Sequence, residues 1–222
     1  CEVYFTPDDT LARDKKPELY HMVLFARNQT GYVNLMQTVS EAAVDGFYYK
    51  PRVTLDNLRR HREGLIASSA CIAGIIPKMI DRGDLPRALE WAETFRDLFE
   101  PGCFYIEIQE HGITTDSGMT DEQMDRQLIE IAKQIGVKVI ATNDFHYLTR
   151  DDAPVQDVMM CIGMNSKVDD PNRMRMQGSE FYMKSEDEMR AMFPYCPEAC
   201  DNTVELAEKC DVELDWDSII LP

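Results

Sequence analysis

The stretch Val137-Lys138-Val139-Ile140-Ala141-Thr142-Asn143-Asp144-Phe145-His146 decides the fold class. A short apolar, β-branched run breaks into a polar tip bearing a carboxylate and an imidazole. It follows a helical pattern over Asp121–Ile135 that Thr120 caps and Gly136 stops. The same order recurs upstream. Met22-Val23-Leu24-Phe25 precedes a turn at residues 28–31 and apolar positions 32, 35, 36, 39, 42 and 43 at helical spacing. Gly64-Leu65-Ile66-Ala67 leads through Cys71 to a helical stretch ending at Asp81. An amphipathic pattern over residues 85–99, with Asp84 as N-cap and Pro86 in the first turn, precedes CFYIEIQ at residues 103–109, which alternates with period two. Repeated strand-then-helix units predict an α/β fold with a mainly parallel sheet.

Past Arg150 the pattern changes. A helix is expected over residues 151–161, a polar loop over 166–179, a short extended piece over 180–183 and a helix over 185–193, where Ser185 and Glu188 are spaced as a capping box. A last helix is expected over residues 197–210. The reading therefore divides the chain into residues 1–150 and an extension, 151–222.

The 222 residues include 23 Lys plus Arg against 40 Asp plus Glu, a net charge of −17, with 44% hydrophobic residues. That composition fits a globular chain and excludes a simple electrostatic clamp on duplex nucleic acid. It leaves room for a metal-dependent enzyme, because carboxylates are metal ligands. No long uncharged apolar run and no leader pattern occurs, so no membrane partner is expected. The seven cysteines, at 1, 71, 103, 161, 196, 200 and 210, include no CxxC pair and argue for a reducing cytoplasm rather than a disulfide framework. Neither a Gly-rich phosphate loop nor a GxSxG elbow is present. The opening Cys1 and the apolar run Ile219-Ile220-Leu221-Pro222, which reads as an unfinished strand, suggest a piece of something longer.

Residues able to bind metal or move protons follow the strands: Cys71, His111, and Asp144 with His146. Strand C-terminal ends are where α/β folds assemble chemistry. On an extended segment Asp144 and His146 point to one side, and oxygen beside nitrogen and sulfur ligands suits Zn, Mn or Fe. Plainer readings stand beside these. Asp144-x-His146 also fits a capped strand end, Cys71 a small buried hydrophobe, and His111 a turn residue. His21 precedes its apolar strand, the wrong end for the strand-terminus rule, and reads more readily as a core residue. His61, within Arg59-Arg60-His61-Arg62, reads as a solvated helix face, and Glu2 as an isolated strand carboxylate. Methionines 159, 160, 164, 189 and 192 read as core or interface packing.

Longer strings add a resemblance. Glu2-Val3-Tyr4, Tyr20-His21, Asn28-x-Thr30-Gly31-Tyr32-x-Asn34-Leu35, Asp45-Gly46-Phe47-Tyr48-Tyr49-Lys50-Pro51-Arg52, Gly64-Leu65-Ile66-Ala67 with Cys71, Glu110-His111-Gly112 and Ala141-Thr142-Asn143-Asp144-x-His146-Tyr147 resemble the PHP (polymerase and histidinol phosphatase) domain of bacterial replicative DNA polymerases, the DNA polymerase III alpha subunits. Asp169-Asp170-Pro171-Asn172-Arg173 and Cys210-x-Val212-Glu213-Leu214 fit the same family.

The resemblance implies a distorted (β/α)7-type barrel lacking its first strands, followed by a helical C-terminal extension leading to the polymerase palm. It implies a divalent metal cluster, Zn or Mn, held by Glu2, His21, Cys71, Asp144 and His146. Glu2, Asp144 and His146 are the implied catalytic residues, with His111 behind them. The implied reaction is 3′–5′ exonucleolytic proofreading within a DNA-directed DNA polymerase whose palm uses Mg outside this stretch. Implied partners are primer-template DNA, holoenzyme subunits and the sliding clamp. The family's opening His-x-His would precede Cys1 and the palm carboxylates would follow Pro222, so the piece alone is expected to be inactive. A PHP domain kept as a structural brace and a free-standing phosphoesterase are the alternatives. The intact Asp144-x-His146 counts against the first, and residues 151–222 count against the second.

Overall fold

Strand β1 (Glu2–Phe5) pairs on one side with β2 (Tyr20–Ala26) and on the other with β3 (Arg52–Val53). The sheet continues from β2 through β4 (Leu65–Ser68) and β5 (Phe104–Ile108) to β6 (Lys138–Ala141). In this computed structural model, which describes residues 1–14 and 16–215, the order is β3-β1-β2-β4-β5-β6. The run Ile219-Ile220-Leu221-Pro222 lies outside the described residues.

The sheet is mixed rather than mainly parallel. Pairs β1–β3, β4–β5 and β5–β6 are parallel, whereas β2 is antiparallel to both of its neighbours. The cause is local: among the described residues no helix forms between β1 and β2, so the chain has no crossover to carry it back and simply reverses.

The helices are α1 (Gln29–Val44), α2 (Leu55–His61), α3 (Ile75–Asp81), α4 (Leu85–Leu98), α5 (Asp121–Ile135), α6 (Ala153–Gly163, after a 3-10 turn at Arg150–Asp152), α7 (Glu186–Met192) and α8 (Glu198–Glu208). Helix α1 begins earlier than its apolar spacing suggests because Asn28 caps it, its Oδ1 accepting from Gly31 N at 2.9 Å. Thr120 and Gln123 form a capping box on α5, which Gly136 ends in the left-handed region at φ 74.

One face of the sheet is apolar. Val3, Phe5, Met22, Leu24, Ala67 and Ile106 are buried there, and Phe5 meets Trp91 and Phe95 of α4 edge-on at 5.4 and 5.3 Å. Strand alternation and the register Tyr4↔His21, Val23↔Ser68 and Ser68↔Tyr105 put Glu2, Tyr4, His21, Ser68, Tyr105 and Glu107 on the other face. Strand β5 is buried along its whole length, where its alternation suggests one exposed face. Helices cover its apolar side, and a hydrogen-bonded polar network fills the other.

The C-terminal helices share this core: Phe193, Cys196, Ala199, Cys200 and Leu206 are buried with the strands. Helix α8 flanks the edge strand β6, where Asn202 Nδ2 donates to Val139 O at 2.8 Å. Of the methionines, Met189 and Met192 pack on the core while Met159 and Met164 of the α6 region are exposed. All seven cysteines are free, and among the described residues no helix is long and apolar enough to cross a membrane.

Candidate functional site

Three of the expected side chains meet at one nitrogen. His21 Nδ1 lies 3.2 Å from Glu2 Oε2 and 3.6 Å from Cys71 Sγ. Antiparallel β2 makes this contact: its first residues lie at the edge of the sheet where β4 finishes, so the start of β2 is the correct end after all. The loop after β4 is laced to that start, with His21 N donating to Ala73 O at 3.0 Å. Gly74 is required there, since a Cβ would stand 2.1 Å from Ser69 O. Burial pushes the Cys71 thiol up to about 11, and the carboxylates of Asp144, Glu107 and Glu2 push the same way. A thiol in that setting releases its proton to water readily only when a cation takes its place on the sulfur.

Beside this cluster is a group that sequence reasoning missed. Glu107 is buried on the inner face, and its carboxylate accepts from Ser68 Oγ at 2.5 Å, Thr142 Oγ1 at 2.5 Å and Gln109 Nε2 at 3.0 Å. Burial raises its pKa, and the charge of Asp144 adds to the effect. The signal was available: an acid inside a run of core residues, in register with Gln109, is costly unless partnered.

The loop after β6 is held from two sides. His111 is not an exposed turn residue: it is buried, with Nε2 donating to Asn143 O at 2.6 Å and its ring stacked on Phe181 at 4.2 Å. Burial lowers its pKa and favours the neutral ring. From the other side, His146 N donates to Phe181 O at 2.8 Å and Asn143 Nδ2 to Tyr182 O at 2.5 Å. Asp144 has φ 46, in the left-handed region, so the segment is not extended and the same-side rule for Asp144 and His146 does not apply. His146 is exposed, its Nδ1 2.7 Å from Asp144 O. The structure therefore gathers Glu2, His21 and Cys71 and sets Asp144 within electrostatic reach, while the His146 ring engages its own loop.

His61 departs from its expected solvated setting. Its Nε2 lies 2.8 Å from Glu41 Oε1 of α1, and its side chain is only 13% exposed.

The donors suit a divalent ion in kind. Zn–N and Zn–S bonds of about 2.0–2.3 Å in a tetrahedral shell set ligand-to-ligand edges of roughly 3.3–3.6 Å, and the His21 contacts to Glu2 and Cys71 are on that scale. Among the described residues, no three His, Cys, Asp or Glu side chains stand as a finished set for an ion.

Residues 1–111 match the family model of the PHP domain. The chain belongs to the PHP family. Its likeness to curated proteins runs further: it is 38% identical over its whole length to DNA polymerase III subunit alpha of Treponema pallidum (strain Nichols), of which it spans 19%. It is 43% identical over 86% of its length to the subunit of the same name from Borreliella burgdorferi, and 41% identical over 88% to that from Thermus aquaticus, spanning 16% of each. The PHP chain thus covers less than a fifth of these curated relatives.

Proposed function

We propose that this chain is the PHP part of a replicative DNA polymerase III alpha subunit, and that its inner-face cluster hydrolyses phosphodiesters at DNA 3′ ends as a proofreading exonuclease. The observation that supports this is the meeting of Glu2, His21 and Cys71 at one nitrogen, with the Asp144 charge close by. Glu2, His21, Cys71, Asp144 and His146 would hold divalent metal, Zn or Mn. Bound there, such ions lower the pKa of a coordinated water and offset phosphate charge. The chain's own contribution is positional: Glu107 and its hydroxyl donors fix the floor of the site, and His111 fixes the loop bearing Asp144 and His146.

In this reading the six strands belong to a distorted (β/α)7-type barrel, residues 1–150 are the PHP domain, and residues 151–222 lead toward a palm that uses Mg. Primer-template DNA is gripped by the rest of the subunit, which works in the cytoplasm with holoenzyme partners and the sliding clamp. A charge of −17 then serves metal ligation and domain packing rather than direct DNA binding. The contact of His146 with its own loop favours one competing reading, a PHP domain that only braces the polymerase.

The two part on one assay: metal content and 3′–5′ hydrolysis of mismatched primers by the full-length subunit and by His146→Ala. The parent should trim mismatches with Mn or Zn, and the variant should lose about two orders of magnitude. Inactivity of the parent, or full activity of the variant, overturns the exonuclease reading.

A further inference from the structure

The turn Phe47-Tyr48-Tyr49-Lys50, before β3, has features that packing does not account for. Phe47 and Tyr49 are 53% and 64% exposed, two residues apart in sequence. Tyr49 sits at φ 64, a conformation that bulky residues rarely adopt and that clusters at functional sites. It is held there by Tyr48 N donating to Lys50 O at 3.1 Å, and the Tyr48 and Tyr49 rings meet at 4.7 Å.

The base of the turn is rigid. Arg52 is buried and donates to Gly46 O at 2.7 Å, Leu11 O at 2.8 Å and Ala12 O at 2.9 Å, while its guanidinium lies 5.5 Å from the centre of the Tyr48 ring. From the turn a short path leads to the candidate site. Lys50 Nζ stands 5.1 Å over the Tyr4 ring, and Tyr4 meets His21 edge-on at 5.3 Å. Among the described residues Lys50 has no carboxylate at ion-pair distance, although the chain carries a net charge of −17.

Exposed aromatic faces plus an unpaired cation are the elements of a single-strand nucleic-acid platform, because every base has a face to stack and every linkage a phosphate. We propose that Tyr49 and Phe47 stack the last bases of single-stranded DNA and that Lys50 meets a phosphate between them, delivering the 3′ end to Glu2, His21 and Cys71. This rests on the exonuclease reading for its substrate. Stacking tolerates any sequence, as a site that takes unpaired ends of every composition requires.

The test is photocrosslinking of the full-length subunit to oligothymidylate bearing 5-iodouracil at its 3′ terminus, with adducts mapped by peptide mass spectrometry. The expected adduct lies on Tyr49, disappears in Tyr49→Ala and persists in Tyr49→Phe. Lys50→Ala should weaken binding of the same oligonucleotide several-fold and flatten its salt dependence. Tyr49→Gly, which suits the left-handed backbone, controls for folding: it should keep the thermal midpoint and lose the adduct. No adduct within residues 47–50 of the parent, or an adduct unchanged in Tyr49→Ala, overturns the proposal. Crosslinking needs no hydrolysis, so an inactive parent that still marks Tyr49 removes the exonuclease reading and leaves the platform standing.

Discussion

Glu2 Oε2 stands 3.2 Å from His21 Nδ1 because antiparallel β1 and β2 pair Glu2 with Val23 and Tyr4 with His21, which makes the two side chains diagonal neighbours on one face of the sheet. The contact is set by sheet register and not by a loop. The His21 side chain is 28% exposed, so His21→Ala should cost about 1 kcal/mol of stability or less. Divalent metal should raise the thermal midpoint of the parent by binding only the folded state, and the variant should lose that rise. Thermal scans with Mn or Zn and with chelator check it.

Glu107 organises three donors, the buried Ser68 and Gln109 and the half-buried Thr142. Glu107→Ala strands them and should cost about 3 kcal/mol or more, whereas Glu107→Gln keeps one acceptor oxygen in place and should cost less. Denaturant unfolding of the pair of variants measures the difference.

Asp125 of α5 is buried, receives Tyr195 Oη at 2.9 Å, and burial pushes its carboxyl up to about 8. The folded state therefore holds a proton on this group that the unfolded state releases near pH 4. Stability from this group is full below that point and falls as pH rises toward about 8. Asp125→Asn should remove that fall, gaining on the order of a few kcal/mol at pH 8 relative to pH 5. Unfolding midpoints of both proteins across that range decide it.

Gly31, in the first turn of α1, lies against the loop before β4: a Cβ would stand 1.8 Å from Gly64 O. Both partners are backbone, so neither yields cheaply. Gly31→Ala should destabilise the protein by about 3 kcal/mol or more, measurable as a lower thermal midpoint.

Much of this architecture was legible in the chain. Asp84, Thr120, Gly136 and Ser185 mark helix ends where the structure has them, because caps act through bonds a few residues long. The strand ends bearing Cys71, His111 and Asp144 were legible for the same reason. Strand direction was not: nothing in Tyr20–Ala26 reports that β2 is antiparallel, so His21 read as misplaced. Glu107 hid inside an alternating run because the partners that make its burial tolerable, Ser68 and Thr142, come from other strands. His61 read as solvated because Glu41, its partner, sits on a different helix. Long-range pairing escaped in these three cases, and two local features escaped as well, the Asn28 cap that starts α1 early and the left-handed backbone of Asp144.

The central claim is that Glu2, His21, Cys71 and Asp144 form a metal-dependent phosphodiesterase site. It is tested most directly by the rate of mismatched 3′-nucleotide release by the full-length subunit as Mn is titrated, alongside Asp144→Asn. The account predicts a rate that rises from baseline with metal, saturates, and drops by about 100-fold in the variant. A parent rate that stays at baseline at every metal concentration, or a variant that matches the parent, contradicts it.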